Sequence, residues 1–249
     1  MLELNRISAG YGKQTVLDGI SVDFEKGKLT SIIGVNGCGK STLLKAILGI
    51  LSLSSGEIFI DGENLLTISR NEIAKKMAYL SQGKNIPDMT VEQMVLHGRF
   101  PYLSYPRRYS SHDREVAIKA MEIVGVAEFA HKPLYSLSGG MRQNAYIAMA
   151  LAQDTDYILL DEPTTYLDIA HQLELMRILR KLADSGKGIV TVMHNLPIAF
   201  DFSDKLTVMS NGKIIAYGTP SEICESHIVE DIFGVKIKQV QKGKYLYEY

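Results

Sequence analysis

The sequence predicts an α/β fold: a core on a mostly parallel sheet, an N-terminal antiparallel β-subdomain and an inserted α-helical subdomain. Three observations carry this. Four short apolar runs, residues 29–33, 77–80, 157–160 and 188–193, each end at a polar or glycine residue and lead into a helical pattern, as parallel strands feeding crossover helices do. Residues 2–7, 16–24 and 57–60 alternate partly with period two between Gly and Asp turns, which predicts the antiparallel sheet. Between residues 83 and 155 strand signals nearly vanish while 114–124 and 139–153 take helical spacing. The expected organisation is one domain over 1–249, with 1–82 and 156–249 as core and β-subdomain and 83–155 as the insert.

The remaining elements follow from local chemistry. Residues 41–49 form an apolar helical stretch directly after the first core strand. Residues 206–209 and 213–217 flank Ser210-Asn211-Gly212 and read as a hairpin, because Asn-Gly accepts the positive φ of a tight turn. Residues 101–108, with two prolines and the adjacent Arg107 and Arg108, read as a loop.

Composition bounds the function. The 249 residues are 46% hydrophobic and 22% charged, enough apolar material for a sizeable core. A net charge of −1 argues against holding nucleic acid through bulk positive charge, and no nucleic-acid partner is expected. Cys38 and Cys224 make neither a disulfide framework nor a zinc motif, which fits a reducing cytosol. The uninterrupted apolar run 145–152 is eight residues against the roughly 20 a bilayer span needs, and the N-terminus lacks a cleavable signal pattern, so neither crossing nor export is expected.

In open α/β sheets ligands bind at the carboxyl ends of the strands, and each core run delivers a polar group there. The first delivers Gly34-Val35-Asn36-Gly37-Cys38-Gly39-Lys40-Ser41, a match to GxxxxGK[ST] between strand and helix. Successive backbone N–H groups can surround a polyphosphate only where side chains do not intrude, which accounts for Gly34, Gly37 and Gly39. The positive end of the following helix faces the same phosphates, Lys40 supplies a point charge, and the Ser41 hydroxyl suits Mg²⁺, with Thr42 next in the helix. Residues 157–160 run into Asp161 and Glu162, and a buried strand avoids two such charges unless a cation or partner offsets them. Asp161 is expected to hold Mg²⁺ and Glu162 to orient or deprotonate an attacking water. Residues 77–80 lead to Gln82 and residues 188–193 to His194, two further polar groups at the same edge and candidates for catalysis; His194 can orient water, contact the terminal phosphate or simply sit satisfied at the sheet edge.

Leu137-Ser138-Gly139-Gly140, placed between the phosphate loop and the acidic strand end, resembles the signature of the ATP-binding cassette (ABC) ATPases, and the resemblance runs from Tyr11 through His194. Ser138 also suits a helix N-cap, so that Gly139 and Gly140 open a helix whose free donors can meet a phosphate. The resemblance implies a P-loop NTPase core that binds ATP with Mg²⁺ and hydrolyses it. It implies two cassettes facing head to tail, so that Ser138, Gly139 and Gly140 of one cover the γ-phosphate on the loop of the other. It further implies that Tyr11 stacks on adenine, that Gln82 senses γ-phosphate and Mg²⁺, and that Asp168 lies in the segment crossing to the partner. The sequence departs from the family pattern at Cys38, Met141, Asn144 and Asn195. Cys38, beside a helix N-terminus, is expected to carry an activated thiol.

Within the family, residues 164–172 and the start of the insert, His97-Gly98-Arg99, resemble importers of iron siderophores, haem and cobalamin. The implied partners are a second ABC ATPase subunit, in a homodimer, integral membrane permease subunits and, indirectly, a substrate-binding protein. The implied location is cytoplasmic and peripheral on the inner face of the cell membrane, with the permease groove between core and insert near residues 82–108. The alternatives are a soluble ABC ATPase without transport role, such as an iron–sulfur cluster assembly ATPase, and a P-loop phosphotransferase acting on a small molecule.

Overall fold

The computed structural model describes residues 1–81, 86–165, 167–241 and 243–248. The chain begins with β1 (Leu2–Tyr11), β2 (Gln14–Phe24) and β3 (Leu29–Gly34), then α1 (Lys40–Ile47), β4 (Leu53–Ile60), β5 (Glu63–Asn64), α2 (Arg70–Lys76) and β6 (Met77–Leu80). The insert contributes α3 (Val91–His97), α4 (Ser111–Ile123) and α5 (Gly139–Ala152). The core resumes with β7 (Tyr157–Asp161), α6 (Ile169–Asp184), β8 (Gly188–Val192), α7 (Leu196–Phe202), β9 (Lys205–Ser210) and β10 (Lys213–Gly218). Past the β9–β10 hairpin the chain continues into α8 (Pro220–Glu225), α9 (Ile228–Phe233) and the hairpin β11 (Lys236–Gln241) and β12 (Lys244–Glu248).

Among the described residues the central sheet has the order β10-β9-β3-β8-β7-β6, with parallel pairing from β9 through β6 and only β10 antiparallel. Its strands β3, β7 and β8 are buried at every position, as parallel strands covered on both faces must be. Side-chain alternation then divides the core in two. Ile32, Tyr157, Leu159, Val190 and Val192 pack with α1 and the antiparallel sheet β2-β1-β4-β5. Leu29, Ile33, Ile158, Leu160 and Ile189 face the other way, into one continuous cluster with the helices of the insert and with α6 and α7.

The partial alternation of β1 has a structural cause. Leu2 and Leu4 point inward, and so do Ile7 and Ala9, which demands a slip of one residue between the pairs. A bulge supplies it, with Arg6 at φ 49° and the register shifting between Leu4 and Ile7. Opposite it stands Gly56 at φ 81°, where a Cβ would lie 2.4 Å from the Arg6 carbonyl oxygen. The β9–β10 hairpin turns through Asn211 and Gly212 at φ 48° and 75°, the conformation that Asn-Gly predicts. Within the insert, the Ser110 hydroxyl accepts from Asp113 N and opens α4 three residues earlier than the periodicity suggests.

Candidate functional site

Strand order brings the expected residues together. β3 lies beside β8 and β8 beside β7, so the phosphate loop after Gly34, the carboxylates after Leu160 and His194 after Met193 share one sheet edge. There a cavity of about 180 Å³ is lined by Val16, Asn36, Gly37, Gly39, Lys40, Ser41, Thr42 and Glu162.

The loop is shaped by backbone, and its glycines have separate reasons. Gly37 and Gly39 adopt φ 79° and 105°, which side chains resist. Gly34 is required by crowding from behind and not by the phosphate side: a Cβ there would sit 2.4 Å from the Met209 carbonyl oxygen and 2.7 Å from Cys38 Sγ. The β9–β10 turn props the loop, since Gly212 N–H donates to the Cys38 carbonyl at 3.0 Å. Cys38 itself is 4% exposed and packed in the apolar cluster between the sheets, so the expectation of an activated thiol is corrected: its sulfur is walled off from reagents. Lys40, 6% exposed, donates from Nζ to the carbonyls of Gly34 at 2.8 Å and Val35 at 3.1 Å. Two of three ammonium protons are thereby held, and the charge stays beside the cavity that the residue lines.

Asp161 ends β7. Its Oδ1 accepts from the Ser41 hydroxyl at 3.0 Å and its Oδ2 from the Tyr79 hydroxyl at 3.3 Å. Burial pushes its carboxyl above the usual carboxylate range, against those two hydroxyls, which favour the charged form. A buried carboxylate with neutral partners beside a Ser hydroxyl is a donor set that a hard cation completes.

Glu162 occupies a left-handed backbone at φ 53°, uncommon for a residue with a side chain and concentrated at functional sites. Its Oε1 meets His194 Nε2 at 2.6 Å and its Oε2 accepts from the Thr165 hydroxyl at 3.2 Å, so both oxygens are held while the residue walls the cavity. Asn195 caps α7 by accepting from Ile198 N at 3.3 Å and donates to Gln172 Oε1 at 3.4 Å.

Other expected residues lie apart. Ser138 caps α5 as predicted, accepting from Met141 N at 3.3 Å. Neither Ser138, Gly139 nor Gly140 lines the cavity at the phosphate loop of its own chain. Gly139 opens to free space, whereas a Cβ on Gly140 would press to 2.7 Å on the His171 ring. That ring is held by Asp168, whose carboxylate caps α6 by accepting from His171 N at 2.9 Å. Asn144 donates to the Val124 carbonyl inside the insert. Tyr11 is half-exposed at the end of β1, outside the cavity wall. Gln82, expected to serve both catalysis and metal, lies outside the described residues. Val16, Thr165 and Tyr79 were not legible as site residues: each sits in an ordinary strand or turn pattern, and only strand neighbours bring it to the edge.

Comparison with known proteins agrees with this geometry. Residues 17–165 match the family model described as ABC transporter. The chain is 41% identical to the petrobactin import ATP-binding protein FpuD of Bacillus anthracis, over 93% of its own length and 86% of that protein. It is 39% identical to the ferric enterobactin transport ATP-binding protein FepC of Escherichia coli, over 93% and 86%. The fold superposes on the dimeric structure of MJ0796, a bacterial ABC transporter cassette, with TM-score 0.77 and 27% identity, covering 88% of this chain and 99% of that one. A phosphate loop, a paired carboxylate and histidine, and these likenesses converge: the chain belongs to the ABC transporter family, as one of its ATP-binding and ATP-hydrolysing cassettes.

Proposed function

We propose that this cassette drives the import of an iron chelate of the siderophore class, with haem or cobalamin as the neighbouring cargo types, by hydrolysing ATP in a pair of identical subunits against membrane permeases. The observation that carries the ATPase half is the single cavity walled by Lys40, Ser41 and Glu162, with His194 fastened to the carboxylate. The import half is supported by the relatives named for petrobactin and ferric enterobactin transport.

Lys40 and the amides from Gly37 through Thr42 hold the phosphates of ATP, and Tyr11 offers its half-exposed ring to the base. Mg²⁺ fits the residues present: Asp161 and Ser41 would hold it, with Gln82 as a further ligand, and it would offset phosphate charge. Among the described residues there is no cluster of three acidic, His or Cys ligands, and magnesium shared with phosphates needs none. Glu162 takes the proton of the attacking water, the bond between the γ-phosphorus and the bridging oxygen breaks, and ADP and inorganic phosphate leave. His194 keeps Oε1 of Glu162 in place during that transfer.

Ser138, Gly139 and Gly140, apart from the cavity of their own chain, serve the cavity of the second copy, and Asp168 sits beside them on the crossing segment. Residues 83–155 move as the insert against the core. No helix among the described residues is long and apolar enough to cross a membrane. As the import relatives suggest, permease subunits provide the path and the cassette works at the inner face, with a substrate-binding protein as the indirect partner. The permease groove is expected between core and insert near residues 82–108; a groove of about 340 Å³ between the end of α1, α2, β6 and Gln153 is a different place, with no described residue of that range in its wall. Copurification with a multispan permease, and ATPase stimulation by a loaded iron-chelate-binding protein, test the reading; an active complex with soluble assembly factors and no membrane subunit would replace it.

A further inference from the structure

Tyr79 stands in two sites at once. Its ring forms part of the wall of the 340 Å³ groove, with Ile50, Arg70, Ile73 and Gln153, while its hydroxyl donates to Asp161 Oδ2 at 3.3 Å. The opposite oxygen, Oδ1, accepts from Ser41 at 3.0 Å, so the carboxylate is gripped from the nucleotide side and from the groove side. The supporting backbone is firm: β6 and β7 pair in parallel, Tyr79 with Leu159 and Leu80 with Leu160. Asp161 lies two positions beyond Leu159, and a tyrosine leaning along its strand reaches it with only two rotatable bonds. Burial and the Asp161 charge both favour the neutral phenol, which keeps the hydroxyl a donor.

We propose that Tyr79 is a positioning residue for Asp161, fixing the rotation of its carboxylate from the wall of the groove. The inference rests on Asp161 holding the metal and goes beyond it, since it assigns to the groove wall a hydrogen bond on the metal-side carboxylate. Partners that orient a metal ligand change metal affinity or activity by about 10–100-fold when removed, and one long hydrogen bond from a neutral donor belongs at or below the lower end of that range.

The test uses the full chain, Mn²⁺ as the probe and a non-hydrolysable ATP analogue, with free Mn²⁺ read by electron paramagnetic resonance. Tyr79→Phe keeps the ring and loses the hydroxyl; it should raise the Mn²⁺ dissociation constant about three- to tenfold, and the half-saturating Mg²⁺ for ATPase by the same factor, while kcat at saturating Mg²⁺ changes less than twofold. Tyr79→Leu should weaken Mn²⁺ by at least as much. Mn²⁺ affinity within 1.5-fold of about the wild-type value in Tyr79→Phe, with Asp161→Asn clearly weakened, overturns the proposal and leaves the metal reading standing. Weakening in Tyr79→Leu but not in Tyr79→Phe also overturns it, because the ring's packing would then be the cause. Unchanged affinity in Asp161→Asn removes the metal reading itself, and the proposal with it.

Discussion

Glu162→Gln separates chemistry from structure because the substitution is isosteric at a residue held on both oxygens. In the native protein Oε1 meets His194 Nε2 at 2.6 Å and Oε2 accepts from Thr165 at 3.2 Å. A glutamine keeps one acceptor and exchanges the other for an N–H, so it preserves the shape of the cavity wall and loses the ability to take a proton. A positioned general base contributes about 10²–10⁴ in rate, which at 1.36 kcal/mol per factor of ten is about 2.7–5.4 kcal/mol of barrier. The structural cost is much smaller. The His194 side chain is 42% exposed, and ion pairs open to water contribute about 0–1 kcal/mol, a midpoint shift of no more than about 4 °C in a chain of this size. Phosphate release should therefore fall at least a hundredfold while ATP affinity by calorimetry changes less than about threefold. With ATP the variant should also elute at twice the monomer mass, because the closed pair cannot discharge. Turnover within tenfold of about the wild-type rate, with binding intact, would remove Glu162 from the proton transfer.

Lys40→Ala removes the ammonium from the cavity wall, and loss of a charge-assisted contact to phosphate should weaken ATP binding by about 10–100-fold, measured by calorimetry. Asp161→Asn should raise the melting midpoint of the metal-free protein at pH 7 by about 1–3 °C while abolishing Mg²⁺-dependent turnover. The sign follows from burial: a carboxyl raised above its unfolded value favours the folded state when protonated, so its contribution is present at low pH and is lost as pH rises through the unfolded and then the folded value. The midpoint gain of Asp161→Asn over wild type should accordingly shrink as pH is lowered toward 4. Arg99→Ala strands Asp113, since the two side chains are 5% and 9% exposed and Arg99 also donates to the Ala152 carbonyl; about 3–5 kcal/mol should be lost in urea unfolding. Burial alone would raise the Asp113 carboxyl, but the Ser110 hydroxyl and N–H and the Arg99 guanidinium outweigh it and hold it low. Its stabilising share is then present above the unfolded value and lost as pH falls through the folded one, and Asp113→Asn should flatten acid unfolding in that window.

Much of this was legible because strand ends declare themselves. The runs ending at Gly34, Asp161 and His194 became β3, β7 and β8 with their polar groups on one edge, since a strand buried on both faces has nowhere else to put a charge. What the pattern could not supply was adjacency. That Glu162 touches His194 follows from β7 lying beside β8, and strand order is a property of the packed sheet. Tyr79 was hidden for a related reason: Met-Ala-Tyr-Leu reads as an ordinary apolar strand, and the hydroxyl contact crosses to the neighbouring strand. Cys38 misled because helix-end position argues for a reactive thiol while tertiary packing buries it. The C-terminal hairpin was not legible because its strands lack period-two alternation: Ile237 and Val240 stand three apart, Tyr245, Leu246 and Tyr247 are consecutive, and the hairpin is mostly exposed. Its anchor, Tyr245 against Phe200 at 5.1 Å, is again long-range.

The most direct measurement is the structure of Glu162→Gln with ATP and Mg²⁺. It should hold two copies with each triphosphate between them, its γ-phosphate within about 3 Å of Lys40 of one copy and of the Ser138 hydroxyl and the Gly140 amide of the other. A monomer, or a pair joined elsewhere with Ser138 and Gly140 facing water, would contradict that arrangement.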